Sequence, residues 1–137
     1  MSTPASTGVA VGLRARRVFE VIGLDTASAV GSGSVPALGT PRLLAWMEAA
    51  TVAALEPALA PNEVSVGTHV ELDHVHPSAV GVRVSVEAVI AGIDGRRVEC
   101  AVEASDGEGT VIGRGRITRM VLDRELFLER LGPGVPG

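Results

Sequence analysis

The sequence has no lysine and no tyrosine, one cysteine, one tryptophan and two phenylalanines. Each shortage removes a class of function. Without lysine there is no Schiff-base amine and no phosphate-loop ammonium, and all 12 basic residues are arginine. With Cys100 alone, an intramolecular disulfide and a cysteine-based zinc cluster are excluded, which fits a cytoplasmic location. So few aromatic rings give nucleobases almost nothing to stack on, and a net charge of −4 argues against a nucleic-acid groove. No apolar run approaches the roughly 20 residues of a membrane helix. The opening MSTPASTG lacks the basic-then-apolar pattern of a secretory signal. The motifs G-x-S-x-G, H-E-x-x-H, G-x-G-x-x-G and the Walker loop are all missing.

What is present is a chain of 137 residues, 46% hydrophobic and 20% charged, enough for one domain with a real core. Residues 1–8 and 132–137 are mostly small and are expected to be flexible ends, leaving 9–131 as a single domain. Leu13 to Ile22 reads as a first strand. Residues 23–39 are rich in Gly, Ser and Ala without a period, as in a long lid or binding loop. Thr40-Pro41 then opens the clearest helix, with Thr40 as N-cap and Pro41 as first helical residue. Its body, Pro41 to Leu55, is apolar nearly all round, so it is expected to be buried on all sides.

From Ser65 to Leu122 the pattern changes to period two, as in half-buried strands. Val70, Leu72 and His74 alternate with Glu71 and Asp73. Val80 to Ala88 alternate with Arg83, Ser85 and Glu87, and Val98, Cys100, Val102 and Ala104 with Arg97, Glu99 and Glu103. Asp94-Gly95 and Asp106 to Gly109 supply turns, Thr110 to Leu122 a last strand, and Asp123 to Leu131 a short amphipathic helix. The economical architecture is α+β, an antiparallel sheet curled around one central helix. Its unpaired edges invite a homodimer.

Glu48 is the only ionisable group between Arg42 and Glu56. A carboxyl isolated there is expected to have its pKa raised by burial and to serve as a general base; the alternative is a solvent-facing sliver of the helix. His74 is in phase with Val70 and Leu72, so it points at the helix that carries Glu48. It is either a proton carrier or a histidine satisfied by backbone. His74 and His76 share a strand face, but zinc would ask for more ligands than these two and Glu48, and no metal is expected. Thr40 is a cap, a nucleophile or a water-orienting hydroxyl. Cys100 falls on the inner face as an inert apolar residue.

The segments GTPRLLAWMEAATVAALEP (39–57), VSVGTHVELDHVHPSAVG (64–81), IDGRRVECAVEASDG (93–107) and RGRITRMVL (114–122) together resemble the hotdog-fold thioesterases, within them the fluoroacetyl-CoA thioesterase-like group. In that group a Thr lies eight residues before a helix Glu, and a His follows a Gly-Thr pair in the next strand. Here those positions are Thr40, Glu48, His74 and Gly67-Thr68. The resemblance implies a hotdog fold and a homodimer or higher even oligomer with sites at the subunit interface. It implies hydrolysis of a small or medium acyl-CoA without a cofactor. Thr40, Glu48 and His74 would be catalytic. Gly67, through a nearby backbone N–H for the oxyanion, and Arg119 would bind substrate. The group's fluoroacetyl-CoA enzyme shapes its lid with phenylalanines, whereas residues 23–39 here hold no aromatic, which implies a general acyl-CoA thioesterase. The rivals are a non-catalytic acyl-CoA-binding module and a hotdog hydratase. The latter's D-x-N-x-x-H pattern is missing, the only Asn being Asn62.

Overall fold

The computed structural model describes residues 8–134; most of the terminal segments expected to be flexible lie outside them. Five strands form one antiparallel sheet: β1 Arg14–Glu20, β2 Glu63–His74, β3 Arg83–Asp94, β4 Arg97–Asp106 and β5 Val111–Asp123. Their spatial order is β1-β3-β4-β5-β2, so β1 and β2 are the two edges. A central helix, named α2 because a one-turn helix α1 (Ala27–Val30) precedes it, spans Thr40–Leu55 and tightens into a 3-10 turn at Glu56–Ala58. A last helix, α3, covers Arg124–Leu131, capped by the Asp123 side chain on the Leu126 N–H.

The alternation read in the sequence sets which sheet face meets α2. Val84, Val86, Ala88 and Ile90 of β3 and Val98, Cys100, Val102 and Ala104 of β4 are all buried, with Ile117 and Val121 of β5 beside them. Leu43, Met47, Ala50, Ala54 and Leu55 fill the same core from the helix. Phe19 of β1 stacks on Trp46 with centroids 4.7 Å apart and ring planes 1° from parallel, closing the core on that side. Burying such aliphatic side chains contributes about 1.5–3 kcal/mol each, so this packing fixes the helix on the sheet. The β3–β4 hairpin turns at Gly95-Arg96, with Gly95 at φ 60°, a left-handed conformation that favours glycine.

Three expectations are corrected. The strand predicted from Val80 starts at Arg83, because Gly81 at φ 96° turns the chain and Val80 faces solvent. Residues 23–39 are not a periodless loop. They hold a 3-10 turn at Gly23–Asp25 and helix α1, and isolated bridges tie Thr26 to Leu38 and Ala37 to Ala79. Nor is α2 buried on all sides. Leu44, Glu48, Ala49, Val52 and Ala53 are only partly covered and Ala45 is exposed, so one flank of the helix lies open beside the edge strand β2.

Candidate active site

Thr40 is not the N-cap predicted from its residue type. It is the first residue of α2, and Gly39 occupies the cap position with no side chain to offer. The N–H groups of Arg42 and Leu43 both reach the Gly39 carbonyl at 3.0 Å. The Thr40 hydroxyl is therefore released from capping, and it meets His74 Nδ1 at 2.7 Å.

His74 reaches that position because β2 is irregular. In β2 Gly67 pairs with Arg119 but His69 pairs with Thr118, so Thr68 is an extra residue in the ladder. Before the bulge, Ser65 and Gly67 share the inner face with Val121 and Arg119. After it, Val70, Leu72 and His74 do. Gly67 and His74 are seven positions apart, an odd number, so a regular strand would put them on opposite faces. The bulge at Thr68 turns both toward α2. Opposite His74 stands Gly113, where a Cβ would come within 2.9 Å of the Asp73 carbonyl and 3.0 Å of Leu43 Cδ2. Only glycine lets β5 lie this close to the end of β2. Burial holds the His74 imidazole below its ordinary value, opposed by the His76 backbone. Its Nε2 is buried without a hydrogen-bond partner among the described residues.

Glu48 lies two turns further along α2 and is not the isolated buried carboxyl expected of it. Its side chain keeps 40% of its exposure, and Oε2 stands 3.5 Å from Nη1 of Arg119, whose side chain keeps only 7%. Arg119 is clasped from several sides: Nε donates to Ser65 Oγ at 2.8 Å, Nη2 to the Ser65 carbonyl at 3.1 Å and Nη1 to Thr51 Oγ1 at 3.4 Å. A buried guanidinium needs such partners, because desolvation of an unpaired charge is costly. Gly67 passes directly over the carboxylate; a Cβ there would sit 2.8 Å from Glu48 Oε2.

The sequence-predicted residues thus fall into two groups. Thr40 touches His74; Glu48, Arg119 and Gly67 stand together. Eight residues of α-helix place Thr40 and Glu48 about 12 Å apart along the axis, beyond hydrogen-bond reach within one chain. Cys100, near Arg119, has its thiol pushed up to about 11 by burial and stays protonated at neutral pH. Among the described residues no three His, Cys, Asp or Glu side chains gather as metal ligands would, and no helix is long and apolar enough to cross a membrane.

The sequence reading missed Ser65 and Thr51 as holders of Arg119, and Asp25, whose buried carboxylate lies 3.2 Å from Nε of Arg42. A signal for the Arg119 network was available. In the pattern Ile117, Arg119, Val121 the arginine falls on the inner face, where it needs a carboxylate, and Glu48 is the helix's only candidate.

A family model described as fluoroacetyl-CoA-specific thioesterase matches residues 21–125. The fluoroacetyl-CoA thioesterase of Streptantibioticus cattleyicolor is 34% identical over 94 residues, which cover 69% of this chain and 67% of that protein. A mutant of a fluoroacetyl-CoA thioesterase solved in complex with acetyl-CoA superposes with a TM-score of 0.82 at 29% identity, covering 91% of this chain and all of that one. A thioesterase superfamily member from Thermus thermophilus superposes with a TM-score of 0.82 at 30% identity, covering 90% and 93% of the two chains.

Proposed function

The chain belongs to the fluoroacetyl-CoA-specific thioesterase family of hotdog-fold enzymes and is a thioester hydrolase of small acyl-CoA; from that premise we propose how its own residues cleave the substrate. The observation that carries the reading is the 2.7 Å contact between Thr40 Oγ1 and His74 Nδ1. With the hydroxyl donating, Nδ1 is the lone-pair nitrogen and the ring proton sits on Nε2. Thr40 Oγ1 attacks the thioester carbonyl as its proton passes to Nδ1. The tetrahedral intermediate collapses, the C–S bond breaks, and the CoA thiolate takes the proton from Nδ1. Water then attacks the acyl-threonine with His74 again as base, releasing the acid and restoring Thr40. A backbone N–H near Gly67 stabilises the oxyanion of both steps.

This scheme puts a proton on Nε2, the atom that is buried without a partner. A buried donor of this kind costs about 1–3 kcal/mol until an acceptor is supplied. The acceptor is Glu48 of the partner subunit in a homodimer. β2 is a sheet edge with one neighbour only, and the open flank of α2 lies beside it. A two-fold axis near Leu44 on the helix and near Val70 and Glu71 on the strand sets Thr40 opposite the partner's Glu48, and His74 opposite the partner's Gly67. Small Ala45, exposed, and Val70, on the inner face yet 41% exposed, are what such an axis covers. Arg119, expected to bind substrate, is buried against Glu48, Ser65 and Thr51 and serves instead by holding each Glu48 carboxylate in place. The exposed stretch 31–36, GSGSVP, brings no aromatic to the acyl group, which supports activity on small acyl-CoA beyond a single fluorinated one.

The test is CoA release from acetyl-CoA by variants compared at equal folded fraction. Thr40→Ala, His74→Ala and Glu48→Gln are each expected to lower kcat by about 100-fold or more. The His74→Ala/Glu48→Gln double variant should lose little beyond the worse single one, as residues acting as a unit do. Rapid-quench mass spectrometry should find an acyl group on the peptide carrying Thr40. Full activity in Thr40→Ala or in Glu48→Gln would refute the scheme. A non-catalytic acyl-CoA-binding module would release no CoA at all.

A further inference from the structure

Thr40 needs a fixed backbone to aim its hydroxyl, yet its own element supplies little. Gly39 at the cap has no side chain, Pro41 has no N–H, and Thr40 itself is exposed. What holds this turn comes from the strap of residues 22–39, and it converges on one residue. Asp25, 8% exposed, uses every acceptor it has. Its backbone carbonyl accepts from the Gly39 N–H at 2.9 Å. Its Oδ2 accepts from the Ile22 N–H at 2.9 Å. Its Oδ1 pairs with Arg42 Nε at 3.2 Å. That contact is an ion pair and not an aligned hydrogen bond, since Arg42 Nε has no partner that meets hydrogen-bond geometry. Asp25 therefore grips the residue just before Thr40 and, two residues past it, the first turn of α2.

The rest of the strap presses Gly39 into the same place. A Cβ on Gly39 would come within 2.8 Å of Val30 Cγ2 and 3.2 Å of Ala27 Cα. Leu38 donates its N–H to the Ser78 carbonyl at 2.9 Å, which anchors the strap to the segment that follows β2 and His74. The strap thus joins both partners of the Thr40–His74 contact, and Asp25 is its charged fastener.

We infer that Asp25 is a positioning residue for acyl transfer, which with Arg42 holds the first turn of α2 so that the Thr40 hydroxyl stays on His74 Nδ1. This rests on the reading of Thr40 as the nucleophile. The Asp25 carbonyl on the Gly39 N–H and the Asp25 carboxylate on the Arg42 side chain hold this turn from outside the helix and leave the Thr40 hydroxyl free for chemistry. A misplacement of about 1 Å is enough to cost a reaction about 100-fold, so loosening the turn is expected to appear in kcat.

The experiment is a double-mutant cycle on the full chain with acetyl-CoA as substrate. Asp25→Ala and Arg42→Gln are each expected to lower kcat about 10- to 100-fold while KM changes less than about 3-fold. In a Thr40→Ala background the same substitutions should change the residual kcat less than about 2-fold, because the group they position is gone. Arg42→Lys should recover part of the loss. A structural role alone would give equal factors in both backgrounds, and that result overturns the inference, as does unchanged kcat in folded Asp25→Ala. Should Asp25→Ala not fold, Arg42→Gln decides, since it leaves Asp25 its bonds to Ile22 and Gly39. If Thr40→Ala by itself leaves kcat intact, it is the nucleophile assignment that fails, and the cycle shows this separately.

Discussion

At the scale of single residues, the site depends on what stands next to each reactive atom more than on the reactive atoms themselves. Gly67 shows this. Alanine there would place its methyl 2.8 Å from Glu48 Oε2, and the atom that must give way is the end of a flexible side chain. Gly67→Ala is therefore expected to fold with a melting temperature close to that of the parent. Its displaced carboxylate should lower kcat about 10- to 100-fold; thermal melts and CoA-release kinetics on the same preparation check both. A large loss of stability with unchanged kcat per folded molecule would show that Gly67 matters only for packing.

His74 gives a second test at this scale. Burial lowers its pKa from the ordinary 6.5 within one chain, whereas a carboxylate from a partner subunit raises it. In Glu48→Gln burial still outweighs the opposing His76 backbone, and His74 should titrate below 6.5. The stability contributed by the neutral ring in that variant is fully present above pH 6.5 and is lost as pH falls through the lowered value. In the parent enzyme the titration should move upward. Imidazole resonances followed through a pH series, assigned with His69 and His76 variants, measure the shift. Identical titrations in the two proteins would mean that no carboxylate meets His74.

At the scale of elements, much was legible. The period-two alternation gave the inner faces of β3 and β4 residue by residue, since both strands are long and face water on their other side. The Pro41 start and the apolar run gave α2 to within a residue. The bulge at Thr68 was not legible, because Gly-Thr-His reads equally well as regular strand, and only the ladder with β5 reveals the extra residue. Thr40 was misassigned because its residue type is a good cap, and the local preference lost to a contact 34 positions away. Asp25 was invisible for a similar reason. It is one acid in a stretch of small residues, and its partners Gly39 and Arg42 become neighbours only when the strap folds back. Deleting Thr68 tests the bulge directly. Without Thr68, Gly67 and His74 stand six positions apart, an even number, so a regular β2 still turns both toward α2; the deletion should fold and keep kcat within about 10-fold. A loss of about 100-fold or more would show that the bulge does more than set which face each residue takes.

At the scale of the molecule, the proposed site needs two chains. Thr40–His74 and Glu48–Arg119 lie at opposite ends of an open helix flank, next to the edge strand β2. The central claim is that a second copy joins them. Mixing Thr40→Ala chains with Glu48→Gln chains under conditions that exchange subunits measures this most directly. If each site takes Thr40 and His74 from one chain and Glu48 from the other, half of the dimers regain one intact site. The mixture should then rise from near zero to about a quarter of parental activity. If instead the mixture stays no more active than its two components while size measurements show mixed dimers, each site lies within one chain and the claim is wrong.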